Sequence, residues 1–329
     1  MPSDLEALRD RINGELKADL VFGDDPSALV TRLELGVPVL DETLGGGIAY
    51  GRITEVIGAE STGKTLLALF AIKAAQAEGR PVVFIDVERS WEPTWADAIG
   101  IDLTELLVSQ PRTGEDAFNI AHAVVRDNDN PGLLIIDSLA AMTAKAEVED
   151  NDDGMQQQFV GLHARMINRG LRTLNSENHG WAVIMINQIR EAVGVRYGSP
   201  EVLPGGKGQR FVAWQIIRCR RAGWIEEGPR DAKTKVGYQW RIVLEKNKQG
   251  EPFRECTLPF YFTGDIDEMA SLLDVAIATG VIERRGAYYN FGDLKVQGKK
   301  GLRDAVSADE IVFDQIKAAL VAKEAEEGF

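Results

Sequence analysis

The stretch ITEVIGAESTGKTLLALFAIKAAQA (53–77) decides the fold. It opens on a short β-branched apolar run and closes on a helix-length apolar segment. Between them, Gly58-Ala59-Glu60-Ser61-Thr62-Gly63-Lys64-Thr65 matches the phosphate-loop pattern GxxxxGK[ST] in the strand–turn–helix context that the pattern requires. The glycines allow backbone N–H groups to turn inward around phosphates, and the helix N-terminus adds positive potential. Lys64 is placed to reach β- and γ-phosphates, and the Thr65 hydroxyl to bind Mg²⁺.

Outward from this loop the texture repeats. VVFID (82–86), LLIID (133–137) and AVIMI (182–186) join ITEVI (53–57) as short apolar runs, and helical stretches such as Leu66 to Ala77 lie between the first three of these four. Apolar strands without alternation, separated by helices, predict an α/β fold whose mostly parallel sheet is covered on both faces. Asp137 closes LLIID and is positioned to hold hydrated magnesium beside Thr65. Asp86 closes VVFID. Just beyond it, Glu88 stands either where a carboxylate could activate the attacking water or as a solvated loop acid, and spacing does not choose. QIIRCRR (215–221) and YQWRIVLEKNK (238–248) alternate more and carry charge, so they are expected to extend the sheet at an edge.

The ends differ from this core. Leu5, Leu8, Ile12, Leu16 and Leu20 recur at steps of three and four, an apolar stripe on a helix that must be covered by its own domain or by a neighbouring subunit. Gly23, Asp24, Asp25 and Pro26 read as a linker. After Pro259, an apolar helical run and the aromatics Tyr288, Tyr289 and Phe291 predict a small α+β unit with a short acidic tail. The expected divisions are an N-terminal helix and linker (1–30), an ATPase-type core (31–258) and a C-terminal domain (259–329).

Composition bounds the rest. Thirty-seven Lys and Arg against 51 Asp and Glu give a net charge of −14, which as a bulk average speaks against a nucleic-acid partner. Distribution reverses this. From Asn187 to Arg221 the basic residues Arg190, Arg196, Lys207, Arg210, Arg218, Arg220 and Arg221 face only Glu191 and Glu201, within a segment holding Gly194, Gly198, Gly205, Gly206 and Gly208. Such a belt either tracks a phosphate chain or is a solvated charged loop. Cys219 and Cys256 are the only cysteines and lie far apart, so neither a disulfide framework nor a zinc site is indicated. No window has the length of a membrane span and the N-terminus is too charged for a signal peptide, so a soluble cytoplasmic protein is expected.

The phosphate loop together with FIDVERSWEPTWADAIGID (84–102), SQPRTGEDAF (109–118), LLIIDSLAAM (133–142), KAEVE (145–149), INQIREAVGV (186–195), YGSPE (197–201) and EKNK (245–248) resembles the RecA family of bacterial and phage recombinases. The resemblance covers most of the core. It implies a filament-forming ATPase that coats single-stranded DNA and pairs it with homologous double-stranded DNA, in a bacterial cytoplasm or a phage-infected cell. It implies ATP and Mg²⁺ at residues 58–65 with Asp137, Glu88 as catalytic base, and Glu92 and Trp95 against adenine. Lys246 and Lys248 match lysines that reach the γ-phosphate bound by a neighbouring protomer, and Gln188 matches a contact between that phosphate and the second DNA loop. That loop would bring Arg190, Val193, Arg196, Tyr197, Gly205, Gly206 and Arg210 to DNA, with Val193 as a wedge between bases. The first DNA loop would lie between Glu149 and Val160, followed by a helix presenting Arg165 and Arg172 on one face. EDNDDGMQQQFV (149–160) departs from the family pattern and holds three aspartates, so its contacts are not carried over. A ring-shaped helicase or another processing ATPase of the same fold is the alternative that the residues leave open.

Overall fold

A computed structural model describes residues 4–127, 129–149, 161–191, 201–206, 208–229 and 231–327. Helix α1 (Asp4–Leu16) precedes a small ribbon of β1 (Arg32–Leu33) and β2 (Ile48–Ala49) around α2 (Pro38–Thr43). The core then alternates β3 (Ile53–Gly58), α3 (Lys64–Ala77), β4 (Val82–Asp86), α4 (Pro93–Ile99), β5 (Leu106–Ser109), α5 (Gly114–Val125) and β6 (Leu133–Asp137). Helices α6 (Lys145–Glu149) and α7 (Leu162–Glu177) lead to β7 (Ala182–Gln188), and a short pair, β8 (Arg190–Glu191) and β9 (Glu201–Val202), follows. Helix α8 (Gly208–Val212) then feeds β10 (Gln215–Glu227), β11 (Thr234–Asn247) and β12 (Glu255–Tyr261). The C-terminal part comprises α9 (Glu268–Ala278), β13 (Glu283–Arg285), β14 (Tyr288–Phe291), β15 (Leu294–Gln297), α10 (Gly298–Ser307) and α11 (Glu310–Glu327).

Eight strands form one sheet in the order β12-β11-β10-β3-β7-β6-β4-β5. The six from β10 to β5 run parallel, while β11 and β12 add on antiparallel. The expected covering of both faces is visible residue by residue. In β7, Ala182, Ile184 and Ile186 join a core with α3, whereas Val183 and Met185 join a second core with α5 and α7. Because alternate side chains enter opposite apolar layers, the strand must be apolar throughout, which is why it shows no alternation in sequence.

QIIRCRR and YQWRIVLEKNK extend the sheet to one side of β3 as expected, as β10 and antiparallel β11, but β12 lies outside them, so the edge strands are β12 and β5. The β12 strand also runs through the expected boundary at Leu258 to Tyr261, pairing Gly237 with Tyr261. Pro259 is tolerated there because an edge strand need not donate a hydrogen bond on its open side. Beyond it, Leu272, Leu273, Ala276, Ile282, Leu302 and Ile316 form a separate apolar cluster. Helix α1 buries none of its residues, and Leu5, Leu8, Leu16 and Leu20 are exposed while Ile12 is half-buried, so most of the stripe is uncovered among the described residues.

Candidate functional site: a phosphate loop and a basic loop at one end of the sheet

The phosphate loop leaves the end of β3 and passes directly into α3. Ser61 and Gly63 adopt left-handed angles of +56° and +86°. A Cβ at Gly63 would stand 2.5 Å from Trp240 Nε1 and 2.9 Å from Tyr238 Oη. Only glycine therefore satisfies both the backbone angle and the close seating against β11. Gly63 caps α3 without a side-chain bond, so the first-turn N–H groups face the loop and can meet an anion.

Inside the loop, the Lys64 ammonium donates to the Ala59 carbonyl across 2.6 Å. Burial holds its pKa below the usual lysine range. Thr65 Oγ1 donates to Asp137 Oδ2 at 2.7 Å. Asp137 is 1% exposed, and burial, with the Glu88 and Asp86 charges nearby, raises its carboxyl to about 7. A hydroxyl and a carboxylate oxygen are the hard donors that Mg²⁺ accepts when phosphate oxygens and water complete its shell. Among the described residues no group of three or more His, Cys, Asp or Glu converges as a metal cluster.

Parallel pairing of β4 with β6 sets Asp86 opposite Asp137. The Val87 and Glu88 N–H groups donate to the Asp137 carbonyl at 2.7 and 3.1 Å, which brings Glu88 beside the phosphate loop. Asp86 serves the turn instead. It accepts from the Ser90 and Trp91 N–H groups, both at 3.0 Å, and from Gln110 Nε2 at 2.8 Å, and so fastens the segment that carries Glu88. Gln188, at the end of β7, donates from Nε2 to Glu88 Oε1 at 3.1 Å.

Glu92 caps α4 by accepting from the Thr94 N–H at 3.1 Å. Trp95 is half-buried, edge-on to Phe260 with ring centres 6.0 Å apart. A cleft of about 40 Å³ has Thr65, Glu92 and Trp95 in its lining, so the two expected adenine contacts open onto the phosphate loop. Sequence reasoning did not single out the aromatic row beside them. Tyr238 lies 5.4 Å from Phe260 and 6.2 Å from Phe262, and Trp224 lies 6.5 Å from Phe262. These residues meet only through the pairing of β10, β11 and β12; the i, i+2 spacing of Tyr238 with Trp240 and of Phe260 with Phe262 was the available signal. A far larger cavity of about 910 Å³, with Arg32, Asp41, Arg254, Leu272 and Lys317 in its lining, includes no phosphate-loop residue. Chemistry rather than volume therefore identifies the site.

Lys246 and Lys248 do share one side. Lys246 Nζ donates to the Ala213 carbonyl at 2.7 Å and to that of Arg210, and Lys248 Nζ to that of Phe211 at 3.4 Å. Lys248 also stands 5.6 Å from the Trp214 ring centre. Within one chain both are docked at the C-terminal end of α8, while that chain's own Lys64 bonds inside its loop.

The basic belt divides. Arg190 and Arg210 are exposed, Arg210 lying 3.6 Å from Glu245. Arg218 is buried between Glu245 and Glu201, the latter at 2.9 Å, so it is a structural ion pair rather than part of an open phosphate surface. Arg221 lies over Trp224 at 4.2 Å on the hairpin past the phosphate loop. Gly206 is exposed but Gly205 is buried, and its carbonyl accepts from Asn168 Nδ2 at 3.3 Å. Arg165 and Arg172 are exposed on α7. Val193, Arg196, Tyr197 and Lys207, with the first DNA loop from 150 to 160, lie outside the described residues.

Residues 10–267 match the model of the RecA N-terminal domain family. The chain is 38% identical over 306 residues to Protein RecA of Thermus thermophilus, covering 92% of this chain and 88% of the relative. It is 40% identical over 299 residues to Protein RecA of Rubrobacter xylanophilus, covering 90% and 85%. Protein RecA of Marinobacter nauticus is 38% identical over 305 residues, covering 92% and 86%.

Proposed function

The chain belongs to the RecA family, and from that premise we propose that it is an ATP-driven recombinase, which assembles on single-stranded DNA and exchanges it with a homologous duplex. The observation that carries this is the joining of two sites by one hydrogen bond: Gln188, which leads into the basic loop, contacts Glu88, which follows β4 and whose N–H bonds the Asp137 carbonyl beside the phosphate loop.

In this reading the residues 58–65 bind the triphosphate, with Lys64 moving from the Ala59 carbonyl to the β- and γ-phosphates. Thr65 and Asp137 would hold Mg²⁺, which supplies charge neutralisation between the phosphate oxygens. Glu88 orients the attacking water and takes its proton as the bond to the γ-phosphorus forms and the bridge to the leaving diphosphate breaks. Glu92 and Trp95 flank the base. Lys246 and Lys248 leave their carbonyls on α8 to meet a neighbour's γ-phosphate, so hydrolysis is completed only between protomers. The largely uncovered stripe of α1 and the exposed Leu107 and Val108 of edge strand β5 are apolar surfaces available for that self-association.

Arg190, Gly206, Arg210, Arg165 and Arg172 contact the strand's backbone, with Val193, Arg196 and Tyr197 completing the loop. Phosphate contacts carry no sequence information, so homology is read by base pairing and the protein's own binding is general. The test is strand exchange between a single strand and a homologous duplex in the presence of a slowly hydrolysed ATP analogue. Exchange by continuous helical filaments supports the assignment; duplex unwinding that needs hydrolysis and no homology would replace it with a helicase.

A further inference from the structure

Next to Gln188 the strand β7 ends in a fully buried amide, Asn187. Its Nδ2 is shared among three acceptors: Glu55 Oε1 at 3.2 Å, the Pro204 carbonyl at 3.2 Å and Gln209 Oε1 at 3.1 Å. Gln209, also fully buried, returns a bond from Nε2 to the same Pro204 carbonyl at 3.0 Å. The neighbouring Gly205 carbonyl is held by Asn168 of α7. At Gly205, with φ +90°, a Cβ would stand 3.0 Å from both Gln209 Oε1 and Ile167 Cδ1. The turn 204–206 is thus pressed between α7 and the end of β7, and Gln209 pins it from α8.

The same short helix docks Lys246 through the carbonyls of Arg210 and Ala213. Four features therefore meet at one buried polar cluster: the Gln188–Glu88 contact, the glycine turn, the helix bearing Arg165 and Arg172, and the lysine docked on α8. The cluster is also unsaturated. Glu55 Oε2 is buried and has no hydrogen-bond partner among the described residues, although Glu55 is fully enclosed in β3. A buried acceptor left open is costly in one arrangement and makes a second, in which a donor turns toward it, accessible at small net cost.

We propose that Gln209 is a positioning residue for DNA-dependent hydrolysis: with Asn187 and Glu55 it transmits the state of the 204–206 turn to Gln188 and to Lys246. This rests on the recombinase assignment above. It adds a buried relay to residues that touch nucleotide or DNA, and Gln209 touches neither. Replacing both amide bonds by an apolar side chain of similar length should uncouple the two sites while leaving each able to bind.

The experiment compares the full-length wild-type chain with Gln209→Leu and with Asn168→Ala, which cuts the same chain of bonds at its half-buried end. ATP affinity without DNA, turnover without DNA, turnover saturated with single-stranded DNA and thermal midpoint are measured for each. Gln209→Leu is expected to lower the stimulation by DNA about tenfold, with affinity and DNA-free turnover within about twofold of wild type, and Asn168→Ala to lower it in the same direction. Should Gln209→Leu not fold, Asn168→Ala decides. Undiminished stimulation in the folded variants overturns the relay, as does a parallel loss of ATP affinity, which would mark Gln209 as merely structural. If the wild-type chain itself is not stimulated by DNA, the recombinase assignment has failed instead.

Discussion

Gln188 and Glu88 are separated by 100 positions in the chain and joined by a 3.1 Å hydrogen bond between Nε2 and Oε1. The bond exists because β7 lies one strand away from β4 across β6, so the ends of all three strands come level. In the proposed reading this amide is a two-position contact, to the carboxylate or to a γ-phosphate oxygen, and bound nucleotide would select the position.

Glu88→Gln removes the proposed base while keeping a side chain of the same shape beside Gln188. Single-stranded DNA binding in the presence of ATP should persist, and turnover should fall by about 10² to 10⁴, the usual contribution of a positioned general base. A steady-state phosphate-release assay paired with fluorescence anisotropy on labelled DNA separates the two; joint loss would mean that the acid is structural.

Gly63→Ala should prevent nucleotide binding more thoroughly than Lys64→Ala. The alanine meets Trp240 and Tyr238 and distorts the loop backbone, whereas Lys64→Ala leaves the N–H cradle and removes one charge. Calorimetric titration with ATP should detect residual binding only for Lys64→Ala, and hydrolysis should be absent in both.

Arg190→Ala and Arg218→Ala should fail in different assays. Loss of one phosphate contact at exposed Arg190 lowers affinity for single strands and flattens the log–log salt dependence by about 0.7. Arg218→Ala strands Glu245 and Glu201 and should cost about 3 kcal/mol in urea unfolding, the usual loss when one partner of a buried pair is removed. An unchanged salt slope for Arg190→Ala removes that residue from the interface.

Asp137 supplies a pH signature. Its folded-state pKa, raised by burial to about 7, exceeds the 3.8 of a free aspartate. The protonated carboxyl is therefore tolerated in the fold at low pH, and this share of stability is lost as pH rises from about 4 through 7. Thermal midpoints of metal-free protein across that window should decline, Asp137→Asn should remove that component, and Mg²⁺ with ATP should restore stability at pH 7 and above. A metal-free profile identical in wild type and Asp137→Asn would show that the carboxyl does not titrate there.

Local chemistry made much of this molecule legible in sequence. A phosphate loop needs consecutive backbone N–H groups, so Gly58, Gly63, Lys64 and Thr65 must be neighbours in the chain, and strands buried on both faces must be apolar without a break. Asp137 was legible because the end of an apolar strand is a fixed address relative to the loop. The roles of Glu88, Lys246 and Lys248 were drawn from family resemblance, since nothing local distinguishes a catalytic loop acid from a solvated one.

What only the tertiary structure decided are matters of long-range pairing. Arg218 belongs to a charge belt in sequence but is buried between two glutamates in space, because β10 sits inside the sheet. The aromatic row of Trp224, Tyr238 and Phe262 and the cluster of Glu55, Asn187 and Gln209 draw on separate strands and a short helix. Their meeting depends on strand order and register, which a single chain of residue types does not encode locally. Sequence specifies which groups are suited to phosphate and magnesium; the packing of β3, β7 and α8 specifies which of the remaining polar groups are enclosed together, and hence which can act on one another.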